Sequence, residues 1–126
     1  MKYITVMLSV AIFIAIQNES MAASIPKQFQ GKWSTASDCK LSNTKESGWV
    51  QGSEERVSIG PRSIEWLESG CNLSKIIQSS PTSFKATYNC SGEGGESHET
   101  HSLQLNNGRL MGGGLVDRVK VQVKCR

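Results

Sequence analysis

The segment Asp117–Arg126, DRVKVQVKCR, alternates without a break: Val119, Val121, Val123 and Cys125 fall on one side, and Arg118, Lys120, Gln122, Lys124 and Arg126 on the other. Successive side chains of an extended chain point to opposite faces, so the pattern predicts a half-buried β-strand with valines and cysteine toward a core and cations toward water. Such a strand needs a sheet beside it. The same period recurs upstream. Phe84, Ala86, Tyr88 and Cys90 alternate with Lys85, Thr87, Asn89 and Ser91, and Phe29, Gly31, Trp33 and Thr35 alternate with Gln30, Lys32 and Ser34. Val57 shares a face with Ile59, Ile64 with Trp66, and His101 with Leu103 and Leu105.

Turn formers separate these runs: Gly60-Pro61, Ser69-Gly70, Ser79-Ser80-Pro81, the acidic GEGGE of Gly92–Glu96, Asn106-Asn107-Gly108 and Gly112–Gly114. About eight strand candidates at this spacing, joined by tight turns, predict an all-β fold, a small antiparallel up-and-down barrel; an open sandwich is the alternative. If the first and last strands pair, the sheet closes and loses its exposed edges. No helical periodicity emerges. Ser37–Gly52 is polar and reads as one long loop, in which Trp49 is either a plug over one barrel end or an exposed contact residue.

The amino terminus predicts export. Lys2, an apolar run from Ile4 to Ile16 and small residues at Ala22, Ala23 and Ser24 form a secretory signal peptide, placed at residues 1–22 with a single domain at 23–126. The apolar run is too short to span a bilayer comfortably. All four cysteines, Cys39, Cys71, Cys90 and Cys125, fall in the exported part, and an even count in a short secreted chain implies disulfides. Three pairings exist. Cys39 with Cys125 and Cys71 with Cys90 is the favoured one, because alternation turns Cys90 and Cys125 inward. By loop-closure entropy the longer bridge contributes about 4 to 5 kcal/mol and the shorter about 3.

The stretch Phe29-Gln30-Gly31-Lys32-Trp33 resembles the Gly-x-Trp opening strand of the lipocalin-like (calycin) barrels, in which the tryptophan closes the barrel base under a basic residue from the last strand. The resemblance implies that Gly31 and Trp33 hold the motif positions and that Arg118 or Arg126 is the basic partner. The wider layout, through Cys90, Gly92, Glu93 and Gly94 to the terminal Lys124-Cys125, also resembles small secreted bacterial disulfide-linked β-barrel proteins of unassigned function. It implies no activity.

Reactive chemistry finds little support in the sequence. His98 and His101 lie among Glu96 and Glu99, but residues three apart in a strand face opposite ways, so no metal site is expected. Glu93 and Glu96 sit among glycines, the reverse of the apolar pocket that a glycosidase acid needs. No Gly-x-Ser-x-Gly is present, and neither glycine-rich turn opens a helix, so no nucleophilic hydrolase and no phosphate-binding cofactor is expected. The formal net charge of +3 is too small to argue for nucleic acid, and the cationic strand face reads as a solvated surface.

Trp33, Val57, Ile59, Ile64, Trp66, Phe84, Tyr88, Leu103, Leu105, Val119, Val121 and Val123 all read as inward, which would fill a barrel of this size. The expected function is therefore non-enzymatic. A periplasmic or secreted barrel binds a protein or other envelope macromolecule through Trp49, Glu93 and Glu96 on its loops, as an inhibitor or protective protein. The alternative is a lipocalin-like carrier of a small apolar ligand.

Overall fold

The computed structural model describes residues 23–113 and 121–126. The predicted signal peptide, and residues 117–120 of the predicted closing strand with Arg118 and Val119, lie outside the described residues.

Eight strands follow one another: β1 (Gly31–Ser34), β2 (Val57–Ile59), β3 (Ser63–Trp66), β4 (Ser69–Ser79), β5 (Ser83–Gly92), β6 (Gly95–Asn106), β7 (Arg109–Gly113) and β8 (Val123–Lys124). β1 through β7 form an antiparallel meander of sequence neighbours, and β8 returns to β1, with Trp33 opposite Lys124 and Ser34 opposite Val123. Leu110 of β7 bridges Gln122, just ahead of β8, so the sheet curls into a nearly closed up-and-down barrel. This is the architecture that the alternation and turn spacing predict. Closure removes nearly all the open edge along which another chain would add.

The inward rows meet in one core: Trp33 opposite Val57, Val57 opposite Trp66, Ile59 opposite Ile64, Ile64 opposite Cys71, Leu73 opposite Tyr88 and Phe84 opposite Leu103. One barrel end is closed by the segment before β1. Phe29 sits in a short 3-10 helix, Lys27–Phe29, rather than in the opening strand, and it and Ile25 are fully buried. The Phe29 ring lies 6.1 Å from that of Phe84, and the Ile25 amide donates to the Pro61 carbonyl at 2.7 Å. Trp33 is tied to this plug by its indole N–H, which donates to the Phe29 carbonyl at 2.9 Å.

The basic residue over Trp33 is Lys124, its Nζ 5.7 Å from the ring centroid. That corrects the expectation of Arg126, while Arg118 lies outside the described residues. Lys124 is the direct register partner of Trp33, whereas Arg126 lies two residues beyond it and is exposed. Gly31 makes room: a Cβ there would stand 2.5 Å from Lys124 Cε, and its φ of 134° is one that other residues rarely adopt.

Both favoured disulfides are present, Cys39–Cys125 and Cys71–Cys90. Such bridges fit an oxidising, exported compartment. No described helix is long and apolar enough to cross a membrane.

The closing strand is inverted relative to its expected facing. Gln122, expected outside, is fully buried beside Leu110, and its Nε2 donates to the Glu55 carbonyl at 2.5 Å. Val121, expected inside, is 41% exposed, and Val123 is half-buried. The valine side packs elsewhere because the predicted long loop is not all loop. Thr35 caps a helix α1 (Ala36–Leu41) by accepting the Asp38 amide at 3.2 Å, and a 3-10 turn follows at Trp49–Gly52. These cover the outer side of β1 and β8, where Cys39, Cys125, Trp49 and Val50 form a second small cluster. Cys125 is buried there, outside the barrel.

Candidate functional site

The end of the barrel opposite the Phe29 plug is open. The β3–β4 hairpin turns through Leu67 and Glu68, the β5–β6 hairpin turns through Glu93 and Gly94, and the two project side by side. Gly92 permits that approach: a Cβ on it would fall 2.6 Å from Ser69 Oγ. Between the hairpins and Glu54, ahead of β2, lies a cavity of about 650 Å³. Its walls include Val57, Trp66, Ser69, Cys90, Ser91, Ser97 and His101, with carboxylates from Glu54, Glu68, Glu93 and Glu99. Among the described residues, none in its lining is a lysine or arginine. The expectation of a full interior therefore holds at the plugged end and fails at this one, where the hairpin of the long strands β5 and β6 stands beside the cavity.

The electrostatics of the mouth follow from crowding of like charge. Glu68, held at a φ of 57° in its turn and exposed, has the Glu93 carboxyl as its neighbour, and hydrogen bonding to it and then its like charge raise the Glu68 pKa above the usual carboxylate range. Deeper in, burial lowers the His101 pKa, opposed by the nearby Glu99 charge, and leaves the imidazole neutral at neutral pH. His101 Nε2 stands 3.6 Å from Glu99 Oε1, and its ring lies 5.7 Å from that of Tyr88. Burial pushes the Tyr88 phenol up to about 12.

The residues predicted to bind a partner are separated. Glu93 lines the mouth, whereas Glu96 is exposed and absent from the cavity wall. Trp49 is only 4% exposed. It lies between two cations, Lys32 Nζ at 5.6 Å and the Arg56 guanidinium at 5.1 Å from its ring, over the Cys39–Cys125 bridge. Trp49 is thus a plug over the outer cluster and not over a barrel end. His98 is exposed, away from buried His101, as their spacing requires.

Sequence reasoning passed over Glu54 and Glu68, weighed Glu99 only beside the two histidines and read Trp66 only as core. Glu54 and Glu68 lie in turns, Trp66 on β3 and Glu99 on β6, and no local motif links them. One metal-capable set also goes beyond the histidine pair: the ligand atoms of Cys71, Cys90, Glu99 and His101 all lie within 4.8 Å of one another. In the oxidised protein the disulfide occupies both sulfurs. Compared with protein-family models, with curated proteins and with solved structures, the chain finds no match in any of the three.

Proposed function

We propose that this protein is a non-enzymatic, exported binding protein whose acidic mouth receives a basic side chain protruding from a partner macromolecule. The observation that carries the reading is the cavity of about 650 Å³ with four glutamates and, among the described residues, no lysine or arginine in its wall, on a chain whose formal net charge is +3. Carboxylates crowded enough to share a proton gain when a cation replaces that proton. Trp66, in the same wall, supplies an aromatic surface for a guanidinium or ammonium.

Two competing readings have weaker support. An apolar cargo needs a dry apolar interior, yet Ile25, Phe29 and Phe84 fill one end and glutamates line the other. A glycosidase needs its acid in an apolar pocket, whereas Glu68 and Glu93 are both exposed.

Nuclear magnetic resonance titration with arginine methylamide, against the uncharged citrulline analogue, tests the reading. The expected result is movement of amide signals in 67–69 and 93–97 with arginine and none with citrulline, lost in Glu68→Gln/Glu93→Gln and weakened by salt. Equal responses to both probes, or movement confined to 42–52, would overturn it.

A further inference from the structure

The floor of the mouth holds a second set of groups, which shares only Glu99 with the four glutamates of the wall. Cys71 on β4 and Cys90 on β5 are direct register partners, and Glu99 and His101 project from β6 beside them. The four side chains bring two sulfurs, one nitrogen and one carboxylate oxygen within 4.8 Å of one another. From these observations we propose that the Cys71–Cys90 disulfide is the oxidised form of a zinc site, which Cys71, Cys90, Glu99 and His101 complete when the bridge is opened.

Two features support the assignment. The donor set is one that zinc accepts, and a tetrahedral zinc with sulfur near 2.3 Å and nitrogen or oxygen near 2.1 Å places neighbouring ligand atoms roughly 3.4 to 3.8 Å apart. The 3.6 Å from His101 Nε2 to Glu99 Oε1 already matches such an edge. Opening the bridge frees the sulfurs to separate to the same spacing, so small side-chain movements suffice and the strands can stay paired. The ligands are also well placed for capture. Cys71, Cys90 and His101 are each at most 5% exposed, which excludes competing water, while Cys90, Glu99 and His101 line the cavity through which an ion and a reductant can arrive.

The chemistry balances with a dithiol reductant, protein or small molecule. Thiol–disulfide exchange breaks the Cys71–Cys90 bond and forms a disulfide in the reductant, and two electrons and two protons end on Cys71 and Cys90 as thiols. Zinc binding then displaces the two thiol protons to solvent. A disulfide oxidant reverses the sequence and releases the ion, so bridge and metal exclude each other.

Differential alkylation of the full exported protein tests this. The protein is reduced with a dithiol, mixed with zinc or left without it, alkylated, and mapped by mass spectrometry. The expected result is that zinc slows alkylation of Cys71 and Cys90 but not of Cys39 and Cys125. Cobalt as a spectroscopic substitute should give the intense ligand-field bands of a tetrahedral site with thiolate charge transfer. His101→Ala and Glu99→Gln should each weaken zinc by at least about 10-fold, the lower bound seen for loss of even an outer-shell partner. Because reduction also opens Cys39–Cys125, strand content is followed by circular dichroism with zinc present. Protection spread over all four cysteines, unchanged zinc affinity in both variants, or a reduced chain that stays unfolded with zinc would each overturn the proposal.

Discussion

Leu110 and Gln122 exchange both backbone hydrogen bonds, at 2.9 and 3.1 Å, and through this one pair β7 reaches the closing strand. The pairing puts Gln122 on the side that Leu110 shares with the core, where its carboxamide reaches the Glu55 carbonyl. Gln122→Ala should cost about 1 to 3 kcal/mol, since it strips a buried carbonyl of its donor. Val121→Ala should change stability by less than about 0.5 kcal/mol, as a surface substitution. Urea denaturation of the two variants checks the facing of the strand directly, because the opposite order follows from alternation alone.

Arg56 clasps Asp38 with two hydrogen bonds, Nε to Oδ2 at 2.9 Å and Nη2 to Oδ1 at 3.0 Å, and donates a third to the Trp49 carbonyl at 3.0 Å. The hydrogen bond from Arg56, helped by Ser34, holds the Asp38 carboxyl below its usual range against the opposing effect of burial. A depressed carboxylate contributes stability above its unfolded pKa and loses it as pH falls through the lower folded value. Asp38→Asn should therefore flatten the acid limb of a stability profile. Arg56→Lys, which keeps the charge without the fork, should cost about 1.5 to 3 kcal/mol at neutral pH in chemical denaturation.

Glu68 carries the opposite sign. Its folded pKa is raised by Glu93, so its contribution is fully present below the unfolded carboxylate pKa and is lost as pH rises through the folded value. Glu68→Gln and Glu93→Gln should each raise the thermal midpoint at neutral pH relative to the parent and make it less sensitive to pH just above the carboxylate range. A scan of midpoints against pH would show it, and a lower midpoint in both variants would contradict the repulsion.

Gly31→Ala should destabilise by more than about 1 kcal/mol, from a positive φ and from contact with the Lys124 stem. Adding Lys124→Ala should recover the steric part alone, because the backbone strain remains. A double-mutant cycle separates the two.

Trp49→Ala should behave as a core truncation and cost about 3 to 5 kcal/mol in denaturant unfolding, since the ring is buried over the Cys39–Cys125 bridge. Cation binding at the mouth should survive the change when measured below the unfolding transition, because Trp49 takes no part in the cavity wall.

What the amino-acid order determined by itself is what depends on neighbours in the chain: which residues alternate, where turns interrupt them, and that four cysteines in so short a chain are bridged. Those local signals carried the antiparallel barrel and, from the inward parity of Cys90, the Cys71–Cys90 pair on β4 and β5. Tertiary structure decided which face of a strand is the inside. Alternation separates Val121 from Gln122 without saying which meets the core, and where α1 and Trp49 cover the outer side of β1 and β8, both faces have something to pack against. The helix itself had a local signal, Thr35 three residues before Asp38, too short to show as periodicity. The mouth had none. Glu54, Glu68, Glu93 and Glu99 are scattered along the chain and become one site only because neighbouring hairpins rise from the same barrel end, a proximity set by strand pairing and not by sequence distance.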